Sequence, residues 1–337
     1  MNNKNMKTPN QPPQHTRRKA LQLVLGSSAA LLTFGCGISS ADQSKTTNVQ
    51  SSALDNLNID PGQLIQRVIP SSGEKLPIVG LGTWQTFDVG SNSGARKRLM
   101  EVLTILQKMG GKMIDSSPMY GSSETVVGDL CQQLGLRKEI FMATKVWTSG
   151  KQAGKRQMEQ SIQRMQAKPM DLMQVHNLVD VDTHLKTFRA WKEQGKIRYI
   201  GVTHYTTGAY PGLMRLIKNE SLDFVQFNYN IKVREAEKRL LPLAKEKGVA
   251  VIINRPYAGG SLFRATRGKQ LPEWAKEYDI NSWGQYFLKY MLGHPAVNCV
   301  IPGTSKPKHM RDNMGAAYGK LPDEKGRQKM VSYLESL

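Results

Sequence analysis

The chain has 337 residues, 39% of them apolar and 22% charged, which is enough to bury a large core, in two or three domains by length alone or in one large one. The formal charge is +20, but the lysines and arginines are spread along the chain. No zinc-ligand spacing, helix-turn-helix pattern or aromatic RNA-binding motif accompanies them, so a nucleic-acid role is excluded.

Residues 1–41 read as an export leader. Arg17 and Arg18 precede an apolar run from Ala20 to Phe34, and small residues follow it. A membrane-spanning helix needs roughly 20 apolar residues, so this run is too short to stay in the bilayer. The paired arginines point to the twin-arginine (Tat) translocase, with cleavage after Ala41 and a periplasmic destination. Lipidation at Cys36 is the rival; Thr33 and Phe34 depart from the pattern it needs. The leader carries five cations and no acid, so the remainder keeps about +15. Residues 42–66 read as a flexible linker of Ser, Thr, Asn, Gln and Asp without periodicity.

From residue 67 onward, short apolar runs alternate with helical stretches. Strands are expected at 76–84, 112–117, 139–146, 170–177, 197–205, 222–230, 249–257 and 297–303. Helices are expected at 94–110, 123–135, 154–166, 183–196, 212–219, 236–248, 272–293 and 307–317. Eight such pairs predict a single-domain α/β fold, a (β/α)8 TIM barrel over 67–337. Cys131 falls on a helix and Cys299 in a strand, with no partner spacing, so both read as core thiols, and no metal site is expected.

In such a barrel, function collects where strands end. Asp115 and Tyr120 follow the second strand, Lys145 ends the third and His176 the fourth. A buried lysine needs a carboxylate, and Asp115 supplies one. A lysine near Tyr120 would lower its pKa from about 10, making the phenol a proton donor to a developing alkoxide, with His176 orienting a carbonyl. Singly, His176 reads as a hydrogen-bonded core histidine and Asp115–Lys145 as a structural ion pair. Four polar residues on three successive strand ends favour chemistry.

The segment from Asp115 to Gly121, an Asp followed five residues later by Tyr-Gly, together with "TKV" and "VHN", resembles the aldo/keto reductase superfamily, over about Val68 to Ala317. The resemblance implies a catalytic tetrad of Asp115, Tyr120, Lys145 and His176, reducing carbonyls with a nicotinamide cofactor. It places Thr83 beside the nicotinamide ribose and Trp84 on the substrate side, where Trp147 and Phe87 are further candidate walls. Thr203 and His204 stand where the family holds the carboxamide with Ser and Asn, so His204 is a departure. Gln226 fits the family's amide contact, and Tyr229 is a candidate to stack on the ring. "RPYAGGSLF" is similar to the segment that straps the pyrophosphate, implicating Pro256, Ala258, Gly259, Gly260 and Leu262. "IPGTSKPKHMRDN" is similar to the adenosine-binding motif, implicating Gly303, Thr304, Ser305, Lys306, His309 and Asn313. Gly303 and His309 replace a frequent lysine and arginine, so NADP(H) is preferred while NAD(H) stays open. A non-catalytic nucleotide-sensing role on the same barrel is the alternative. A small-molecule carbonyl substrate and a monomeric state are expected.

Overall fold

The computed structural model describes residues 63–337; the leader and most of the linker lie outside the described residues. The first element is an antiparallel hairpin, β1 (Gln66–Val68) and β2 (Lys75–Pro77). The sequence pattern reads 76–84 as one strand, but the structure divides it between this hairpin and β3 (Leu81–Gly82). Two glycines in this stretch let the chain pass close to its neighbours. A side chain at Gly80 would meet Met113 at 2.9 Å, and one at Gly82 would meet the Ile301 carbonyl at 2.8 Å.

Strand–helix units then follow in order: α1 (Ser93–Lys108), β4 (Met113–Asp115), α2 (Ser123–Gln133), β5 (Phe141–Val146), α3 (Lys151–Arg164), β6 (Met170–His176) and α4 (Val181–Glu193). Next come β7 (Ile197–His204), α5 (Tyr210–Asn219), β8 (Phe224–Asn228), α6 (Leu240–Glu246) and β9 (Ala250–Asn254). After β9, a short helix, α7 (Ser261–Ala265), lies in what the sequence reads as a loop, ahead of α8 (Trp283–Leu292). The chain ends with β10 (Cys299–Val300), α9 (Pro307–Gly315) and α10 (Glu324–Glu335). Strands β3 to β10 pair in parallel, each with the next, and isolated bridges Val79–Val300 and Gly82–Gly303 close the ring. The molecule is a (β/α)8 barrel.

Strands β5 and β6 are buried along their whole length, as expected when both faces of a parallel sheet are covered. One core lies between strands and helices: α1, capped by Asn92 on the Ala95 N–H, buries Leu99, Val102, Leu103 and Leu106 there. A second fills the barrel interior with Met113, Phe141, Leu172, Phe224 and Ile252, and the hairpin adds Ile69 and Leu76 to it. Arg67 ties the hairpin down through the carbonyls of Leu292, His294 and Val297. Cys131 and Cys299 are both free and buried. Burial pushes the Cys131 thiol up to about 12 and raises that of Cys299 as well.

Candidate active site

The turn after β4 brings Asp115 and Tyr120 to one place. The Tyr120 N–H donates to the Ser117 carbonyl (3.0 Å), and Gly121 takes φ +58, a value that suits glycine. Asp88 pins the far side by accepting from both the N–H and the hydroxyl of Ser122 at 2.8 Å. Ser117 faces His176, with Oγ 3.0 Å from Nδ1, and the rings of Tyr120 and His176 meet edge-on at 5.9 Å.

Lys145 is fully buried and donates to Asp115 Oδ2 and to the Ser116 carbonyl, both at 2.6 Å. Its ammonium lies 5.1 Å from the centre of the Tyr120 ring. Burial pulls the lysine down, but Asp115 and Tyr120 offset that and hold its pKa above the ordinary value. Burial is also the largest influence on Tyr120 and raises its pKa, against the downward pull of Lys145. This corrects the expected lowering. Desolvation of the phenol outweighs the nearby cation, so the hydroxyl stays protonated at neutral pH. His176 is pushed down to about 3 by burial, then by Lys145 and His204, and is a neutral imidazole.

Asp115 Oδ1 accepts from the side-chain amides of Gln174 and Gln226, each at 3.0 Å. Gln226 also donates to Gln174 Oε1 (3.1 Å) and accepts from Thr203 (3.0 Å) and Asn254 (3.3 Å). Thr83 Oγ1 lies 3.0 Å from both the Asp115 carbonyl and Ser116 Oγ.

Above this network opens a cavity of about 450 Å³. Thr83, Trp84, Asp115, Tyr120, His176, Thr203, Gln226, Pro256, Gly259, Gly260 and Gly303 line it, and Lys145 lies beneath. Other residues singled out in the sequence do not reach it. Tyr229 is fully buried among Glu237, Tyr290 and Arg327, its hydroxyl donating to Glu237, so it cannot back a ring in the cavity. Trp147 is exposed outside the cavity, and Phe87 is sealed in the outer core. His204 accepts from the Thr206 N–H and stacks on Tyr205, away from the cavity wall. Leu262 is core, and Ala258 lies outside the lining. Asn313 is buried and accepts from the Tyr257 hydroxyl at 2.6 Å. Thr304 accepts from the Lys306 N–H ahead of α9; Ser305, Lys306 and His309 stand around that helix start, beyond the cavity.

The structure adds Met119, Tyr205, Asn254, Arg255, Tyr257 and Phe263 to the lining. Arg255 lies over the Tyr205 ring at 5.6 Å. A two-residue period back from His176 along β6 would have flagged Gln174 as inward-facing; for the loop residues no comparable signal exists.

A protonated phenol, a buried lysine–aspartate pair and a neutral histidine thus meet at the strand ends of a (β/α)8 barrel. Residues 78–328 match the model of the aldo/keto reductase family, and the chain belongs to that family. The methylglyoxal reductase YeaE of Escherichia coli is 28% identical over 257 residues, covering 74% of this chain and 88% of YeaE. An NADH-specific methylglyoxal reductase of the same organism is 23% identical over 300 residues, covering 73% and 91%. The crystal structure of an aldo/keto reductase from Klebsiella pneumoniae in complex with NADP and acetate superposes with a TM-score of 0.67. It is 24% identical and covers 78% of this chain and 93% of that one.

Proposed function

We propose that this enzyme reduces aldehyde or ketone carbonyls with NADP(H), and that Tyr120 gives the proton to the carbonyl oxygen. The observation that carries the reading is the convergence of Tyr120, His176 and the Lys145–Asp115 pair on one cavity. The wall fits a nicotinamide dinucleotide. Asn254 lines it with a side-chain oxygen that has no partner, and Gly259 and Gly260 form a left-handed turn, at φ +63 and +85, where backbone can approach phosphate. Thr203, Gln226 and Asn254 would hold the nicotinamide end, Gly259–Gly260 the pyrophosphate, and Thr304 to Lys306, His309 and Asn313 the adenosine end. The cofactor, when bound, supplies the hydride.

The protein's own residues manage the proton. Tyr120, protonated at neutral pH, donates to the oxygen as negative charge develops there. Lys145 stabilises the phenolate left behind, and Asp115 keeps the lysine charged within the barrel. His176, neutral and held at Nδ1 by Ser117, offers its other nitrogen to the same oxygen without a competing charge. The Klebsiella structure contains NADP, which supports NADP(H); the NADH-specific relative keeps NAD(H) as the alternative to be measured.

The test is NADPH consumption by the chain from residue 42 with an aromatic aldehyde, beside Tyr120→Phe. The variant should bind NADPH with unchanged affinity and lose turnover by at least about a hundredfold. Equal turnover in both, or none in a parent that binds NADPH, would sink the reading. The twin arginines support Tat export to the periplasm. Replacing Arg17 and Arg18 together by lysine should leave the protein in the cytoplasm, and unchanged export would remove that assignment.

A further inference from the structure

Gln174 does not line the cavity, yet it touches the catalytic ion pair. It sits on β6 two residues before His176, fully buried, and Leu172, two residues earlier, belongs to the apolar interior. A leucine or methionine would pack at this level without the desolvation cost of a buried amide. That cost is offset by bonds directed at one carboxylate. Lys145 takes Oδ2 of Asp115, while Gln174 and Gln226 share Oδ1. Gln174 also fixes Gln226 by accepting from its amide.

We propose that Gln174 is a positioning residue for the proton donor: with Gln226, its amide takes up part of the Asp115 charge and so governs how strongly Lys145 acts on Tyr120. The proposal rests on the reductase reading for its catalytic meaning, but its physical content concerns Tyr120 alone. Two N–H donors on Oδ1 weaken the negative field that Asp115 projects past Lys145. With one removed, that field grows and the phenolate becomes harder to form. The other groups around Tyr120 stay as they are: Lys145 on β5, the imidazole of His176 on β6 and, in the cavity wall, Arg255 after β9. A shift on substituting Gln174 therefore reports on Asp115.

The experiment uses cofactor-free protein labelled with difluorotyrosine, whose more acidic phenol titrates within the range the fold tolerates. Fluorine NMR follows Tyr120, assigned by the signal lost in Tyr120→Phe. Gln174→Met keeps the side-chain volume and removes the donor. The Tyr120 midpoint should rise by about half to one pH unit. The acid limb of alcohol oxidation should move up with it. A folded Gln174→Met with an unmoved midpoint overturns the proposal, whatever happens to its turnover. Gln226→Met removes the second donor and carries the same expectation, so a variant that does not fold leaves the other to decide. Failure of the reductase reading would show separately, as absent turnover in a parent whose phenol still titrates.

Discussion

Two imidazoles, His176 buried and His294 half-buried, make the protein sensitive to acid for reasons that can be assigned residue by residue. His176 is held at about 3 and His294 at about 4, both chiefly by burial, against an ordinary value of 6.5. Arg327 is the next influence on His294. The unfolded chain therefore takes up protons below about 6.5 that the native protein refuses. Stability is complete above that pH and drains away as pH falls toward 4 and then 3. Melting followed from pH 7 to pH 4 should show a steady loss, and His294→Gln, remote from the active cavity, should flatten it. An unchanged slope in that variant would assign the acid sensitivity elsewhere.

Close approach between elements sets a second class of sensitive positions. Gly128 lies on the face of α2 that meets the end of α3, where an added methyl would overlap the Arg164 carbonyl oxygen. Alanine ordinarily favours a helix over glycine by about 1 kcal/mol. Here the overlap is with backbone, which cannot rotate away, so Gly128→Ala should destabilise by about 1–3 kcal/mol in urea unfolding. A stabilised variant would show that α2 and α3 can separate. At this scale the sequence was informative wherever a pattern ran long enough. The long helices stood out by their period, and the fully buried β5 and β6 by their apolar runs. The hairpin did not, because three residues cannot show a period; β3 and β10 fell inside the strands expected at 76–84 and 297–303, but their short bounds were not legible. Asp115, Lys145 and His176 were legible because a polar side chain inside an apolar strand is conspicuous. Tyr229 misled because its hydroxyl answers to Glu237, and its neighbour Arg327 on α10 lies far along the chain.

For the molecule as a whole, stability is spread over a closed ring of strands, with a hairpin at one end and a last helix fastened from the side. Arg67 bonds the carbonyls at the end of α8, and Arg327 of α10 bonds Glu237 and Tyr229. No covalent cross-link contributes among the described residues. The thiols of Cys131 and Cys299 stay apart, sealed from solvent and held in the unreactive protonated form. The finished barrel is therefore indifferent to the redox poise of its surroundings. It needs no oxidising folding machinery and is not undone by a reducing milieu, so neither kind of surroundings makes a demand on its sulfur chemistry.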